Sequence, residues 1–131
     1  MRALGHDVEA IRGAFFVSGP LDFAVPGSSA WGRRLLRRFL GKGHEWFETD
    51  PGSLADSWEV PLFVVHGDHD PLVTLGSALS FARRVHRRRP GLVEFVVAPG
   101  RHHADLTYMF LDDLAEARAL KAWLARLDEQ P

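Results

Sequence analysis

Three short apolar runs constrain this chain most: Gly13-Ala14-Phe15-Phe16-Val17, Pro61-Leu62-Phe63-Val64-Val65 and Leu92-Val93-Glu94-Phe95-Val96-Val97. Each closes on turn-forming residues, namely Ser18-Gly19-Pro20, His66-Gly67-Asp68 and Ala98-Pro99-Gly100. Their length and their content of β-branched and aromatic residues predict three strands. The first two are apolar at every position rather than at alternate ones. A strand with no polar face needs cover on both sides, which is the situation of parallel strands between helices.

The intervening segments supply that cover. Leu75, Ala78, Leu79, Ala82 and Val85 fall at helical spacing, with Arg83, Arg84, Arg87 and Arg88 elsewhere on the wheel. Pro90-Gly91 stops that helix. A final helix is predicted from about Asp112 to Leu127, with Leu114, Ala117, Leu120, Leu124 and Leu127 on one face. Between the first two strands, residues 22–60 form a less regular insertion containing Trp31, Trp46, Phe47 and Trp58. Within it, Trp31 to Leu40 has the pattern of an amphipathic helix with Arg33, Arg34, Arg37 and Arg38 outside. The insertion tryptophans are candidates for lining an apolar acyl pocket, and tryptophans are more often simply core. The predicted order is strand, insertion, strand, helix, strand, helix: an α/β chain with a parallel sheet, flanking helices and right-handed crossovers. In such sheets chemistry sits at the carboxyl ends of the strands.

Composition narrows the function classes. The chain has 131 residues and a net charge of −1, so no overall field favours nucleic acid or an anionic membrane. The arginine groups read as solvated helix faces. There is no cysteine, which removes disulfides, thiolate metal sites and a cysteine nucleophile. No apolar run approaches the ~20 residues of a membrane span. The stretch Met1–Asp7 has no signal-peptide pattern, so a cytoplasmic location is expected. No glycine-rich phosphate loop is present and no cofactor is expected.

Polar residues cluster where the strands end. His66-Gly67-Asp68-His69-Asp70-Pro71-Leu72-Val73 follows the second run, and Pro99-Gly100-Arg101-His102-His103 follows the third. A carboxylate on one strand-end loop and a histidine on the next can meet. The histidine then acts as general base while the carboxylate fixes its tautomer. Two acids, Asp68 and Asp70, and two histidines, His102 and His103, compete for these roles, and aspartates after a strand also serve as turn residues. His66 is expected to pack or hydrogen-bond at the strand end, and His69 to face solvent near the site. His6, His44 and His86 are expected on the surface. A metal reading of His66, Asp68, His69, Asp70, His102 and His103 is also open, although their spacing matches no established ligand motif.

At these residues the chain resembles the α/β-hydrolases of the esterase, lipase and serine-peptidase type, over nearly its whole length, Gly13 to Leu127. In that family a strand ending in H-G-x-x-D carries the triad acid, which falls on Asp70. A following G-x-x-H carries the triad histidine, which falls on His103. Ser18-Gly19-Pro20-Leu21-Asp22 resembles the strand ending from which the family's chain leaves for a cap, which makes residues 22–60 a cap-like insertion. The resemblance implies a partial α/β-hydrolase domain, residues 1–131, equivalent to about the last three strands. It also implies an ester or related acyl substrate.

The departure is the nucleophile. No G-x-S-x-G elbow is present, and Ser18, Ser28, Ser29, Ser53, Ser57, Ser77 and Ser80 lack its flanking glycines. No oxyanion-hole segment is visible either. The expectation is the C-terminal part of a serine hydrolase. The alternative is a degenerate, non-catalytic hydrolase acting as an interaction module. In either case Ala14–Val17 is expected to form an open apolar edge that pairs with a missing N-terminal half or a second copy.

Overall fold

The computed structural model describes residues 11–25, 34, 38 and 50–129. Three parallel strands, β1 (Ala14–Val17), β2 (Leu62–Gly67) and β3 (Val93–Ala98), form one sheet in the order β1-β2-β3. Ala14 pairs with Leu62, and Leu62 with Val93, so the three strands start level; β2 and β3 also end level, with Gly67 opposite Ala98, while β1 stops at Val17 opposite Val65. A 3-10 helix, Pro51–Ser57, precedes β2. Helix α1 (Leu75–Arg88) joins β2 to β3, and α2 (His103–Thr107) and α3 (Ala115–Asp128) follow β3.

The uniformly apolar second run becomes the central strand, and all six of its residues are buried. Alternate side chains enter two cores. Leu62 and Val64 pack with Leu21, Ala55, Ala78, Phe81 and Val85, under α1 and the 3-10 helix. Phe63 and Val65 pack with Leu106, Met109, Ala117, Leu120, Trp123 and Leu127, under α2 and α3. Rings tighten both cores: Trp58 stands edge-on to Phe81 at 5.6 Å, and Phe63 lies 5.7 Å from Trp123. Each fully buried side chain of this size contributes roughly 1.5–3 kcal/mol, so the two faces together hold the sheet.

Some expectations need revision. The last helix begins at Ala115, and Leu114 is its N-cap, packed against the same core as the helix's apolar face. Trp123 points inward where Leu124 was expected, and Leu124 is exposed. Both residues lie near the edge of the apolar stripe. The larger ring buries more area, which settles the rotation of the helix. In α1 the inward face includes Phe81 and Ser77, and Leu79 is only partly buried. Most of the helix expected near 31–40, with Trp31, Trp46 and Phe47, lies outside the described residues. Arg34 and Arg38 are described, and both are helical and exposed.

The two ends of the insertion meet at one place. Asp50 Oδ1 accepts hydrogen bonds from the backbone of Phe23 (3.1 Å) and of Gly52 (2.9 Å). Ser77 Oγ, on α1, accepts from Leu21 N and Asp22 N and donates to the Asp22 carbonyl. Ser80 Oγ donates to Asp22 Oδ2 at 2.6 Å. Residues 21–23 and 50–52 therefore lie together beside the N-terminal half of α1. Among the described residues β1 pairs on one side only, and Phe15 on it is 49% exposed. No described helix is long and apolar enough to cross a membrane.

Candidate active site at the strand ends

Because β2 and β3 run parallel and end level, the loops after them lie side by side. Gly67 lets them touch: a Cβ there would stand 2.2 Å from the Arg101 carbonyl oxygen, closer than any side chain can be placed. His69 N donates to that same carbonyl at 3.2 Å. The β3 loop then turns at Gly100, whose φ of 71° is the left-handed conformation that glycine adopts freely.

On this frame Asp70 and His103 come together. His103 Nδ1 donates to Asp70 Oδ2 at 2.8 Å, across 33 residues of sequence. The other oxygen, Oδ1, accepts from Leu72 N and Val73 N, each at 2.9 Å. The Asp70 side chain is fully buried and that of His103 is 34% exposed. A carboxylate with both oxygens occupied can rotate little, so it holds the ring in one orientation. With the proton of the neutral ring on Nδ1, the lone pair lies on Nε2, the nitrogen needed by a general base.

The rivals take other positions. Asp68 Oδ1 binds His69 Nδ1 at 2.7 Å and accepts from Gly100 N at 2.6 Å, so it ties the two loops together near solvent. Its bond to His69, and then that to Gly100, hold its carboxyl below the usual aspartate range. His102 is exposed and caps α2. Its backbone N–H is bonded by the Asp105 side chain at 2.7 Å, and its ring stands 6.1 Å from that of His69. Among the described residues, no group of three or more histidines and carboxylates is arranged to hold a metal ion.

One contributor, Gly67, went beyond the sequence reading, and a second, His66, packs and hydrogen-bonds at the strand end as expected. Gly67 was legible only as a turn former, because its close approach to Arg101 is a long-range contact. His66 is fully buried, and its Nε2 lies 3.0 Å from the Val73 carbonyl oxygen and 3.6 Å from Asp70 Oδ2.

Comparison by sequence gives no matching family model and no matching curated protein. Comparison of structures does give matches. An esterase from Pyrococcus furiosus aligns with 92% of this chain and 47% of its own, at 21% identity and a TM-score of 0.62. The same esterase in another crystal form aligns with 92% and 46% of the two chains, at 22% identity and a TM-score of 0.62. Esterase 2 of Thermogutta terrifontis, phosphonylated by sarin, aligns with 72% and 35%, at 22% identity and a TM-score of 0.58. The chain thus spans less than half the length of the esterases it is similar to. Three parallel strands with helices on both faces, shared with part of these proteins, make its fold a partial α/β-hydrolase fold.

Proposed function

We propose that this chain supplies the acid and the base of a serine hydrolase acting on ester or related acyl bonds, with Asp70 as acid and His103 as base. The observation that carries this reading is the 2.8 Å bond from His103 to a carboxylate whose other oxygen is already held by two backbone amides. A structural turn aspartate needs only the amides. The bond to a partly exposed histidine on the neighbouring loop serves to orient an imidazole. The esterases that share the fold support the acyl substrate class.

In the complete protein a serine attacks the acyl carbonyl, and His103 Nε2 accepts the serine proton. The proton passes from His103 to the leaving group as the tetrahedral intermediate collapses. Water then repeats the cycle on the acyl-enzyme. Asp70 stabilises the imidazolium in each half-reaction without itself taking the proton. No serine of this chain has the glycine-flanked elbow, so the nucleophile comes from polypeptide beyond these 131 residues. The side of β1 that is unpaired among the described residues, with Phe15 exposed on that strand, is where such polypeptide would continue the sheet. Residues 22–60 take the place of the family's cap-like insertion, with Asp50 joining Phe23 to the start of the 3-10 helix.

Hydrolysis of short-chain p-nitrophenyl esters by the native protein, set against its His103→Ala and Asp70→Asn variants, tests the proposal. Asp70→Asn should lose on the order of 10⁴ in kcat, and His103→Ala on the order of 10⁶. Wild-type turnover in either variant would refute the assignment. A native protein that folds, completes its sheet and hydrolyses no acyl compound would favour the interaction module.

A further inference from the structure

We propose that His66 is a positioning residue for the Asp70 carboxylate, acting through a proton on Nε2. This rests on the acid–base reading of Asp70 and His103. His66 lies on β2, its side chain is fully buried, and it neither reaches solvent nor contacts His103 through any hydrogen bond. Its Nε2 stands 3.0 Å from the carbonyl oxygen of Val73, an atom that can only accept, so Nε2 must donate.

Val73 is gripped from both ends. Its N–H donates to Asp70 Oδ1 at 2.9 Å, and its carbonyl accepts from His66. The same Nε2–H lies 3.6 Å from Oδ2, the oxygen that receives His103, and so presents a positive dipole to it. The rest of the segment from Asp70 to the start of α1 is held by backbone bonds, Asp70 N to the Gly67 carbonyl and Ser77 N to the Thr74 carbonyl. Thr74 is the N-cap of α1, but its hydroxyl makes no cap bond and is buried without a partner among the described residues. His66 therefore fixes the loop whose amides orient the carboxylate.

The choice of side chain supports this role. His66 Nδ1 is buried with no hydrogen-bond partner among the described residues. Such an atom destabilises the fold. A leucine would fill the strand end without that penalty, so packing alone does not account for an imidazole here. The bond to Val73 does.

The test uses the native protein, complete with the polypeptide that continues its sheet, labelled with 15N-histidine. Ring nitrogen–proton correlation spectra near neutral pH distinguish the two tautomers at each histidine. His66 is expected as the Nε2–H tautomer and His103 as the Nδ1–H tautomer. In His66→Leu, exchange of the His103 Nδ1 proton with water should rise on the order of tenfold. His66→Gln, whose amide can still donate to Val73, should stay close to wild type. A His66 protonated on Nδ1 overturns the proposal, and this wild-type observation decides even if His66→Leu does not fold. So does a folded His66→Leu variant with an unchanged His103 proton. A wild-type His103 lacking the Nδ1 proton overturns the acid–base reading instead, whatever the state of His66.

Discussion

Gly67→Ala separates the two loops of the site with a single carbon atom. A methyl group at this position would lie 2.2 Å from the Arg101 carbonyl oxygen and 2.9 Å from its carbonyl carbon. Both atoms are backbone, so no rotamer change relieves the clash. Restoring an ordinary contact needs a displacement of about 1 Å. Arg101 lies two residues before His103, and the His103–Asp70 bond has a length of 2.8 Å. A displacement of that size toward solvent carries the bond beyond hydrogen-bonding length. Two effects follow. Stability falls by about 1–3 kcal/mol, the usual range for overpacking against unyielding atoms. In the complete hydrolase a misplacement of about 1 Å lowers kcat by roughly 10²-fold. Thermal unfolding reads the first effect, and the Nδ1 proton signal of His103 reads the second without any nucleophile. A Gly67→Ala protein with wild-type melting temperature and an unchanged His103 signal would refute the close-approach argument.

Other outcomes follow from the same geometry. His102→Ala should change ester hydrolysis only a few-fold while His103→Ala abolishes it, because only His103 is bonded to the buried carboxylate; steady-state kinetics of both variants checks this. Asp50→Ala removes the acceptor shared by Phe23 N and Gly52 N, and should destabilise by about 1–2 kcal/mol. Hydrogen exchange at those two amides should accelerate before exchange in β2. Asp68 has its carboxyl pKa lowered in the folded state, so its contribution is present above the ordinary value of 3.8 and is lost as pH falls through the lower folded value. The melting-temperature gap between wild type and Asp68→Asn should therefore be constant from pH 7 to 5 and shrink as pH falls below about 4.

The parts of the structure legible in the sequence are those governed by short-range patterns. Short apolar runs locate all three strands, and the unbroken run at Leu62–Val65 becomes the central strand, which has no solvent face and is buried at every position. The acid and the histidine stand at the strand ends because H-G-x-x-D and G-x-x-H place polar groups directly after buried runs. Their pairing depends on β2 and β3 ending level, which no local pattern encodes. Helix α2 has five residues, too few for a period to register, and so was not foreseen. The rotation of α3 was misjudged because leucines were weighed ahead of Trp123, whose ring fills the space beside Phe63. The roles of Gly67 and His66 rest on Arg101 and Val73, contacts that exist only once the loops are folded. Ser77 and Ser80 on α1 look like ordinary helix-surface residues in sequence, yet they bind the segment 21–22 across more than fifty positions.

The most direct test is to treat the native protein, isolated from its source, with a fluorophosphonate probe and map the labelled residue by mass spectrometry. The expected result is one adduct on a serine outside residues 1–131, absent when His103 is replaced by alanine. An adduct on a serine within these residues, labelling that persists without His103, or a folded native protein that takes up no probe would contradict the assignment of Asp70 and His103 to a serine hydrolase.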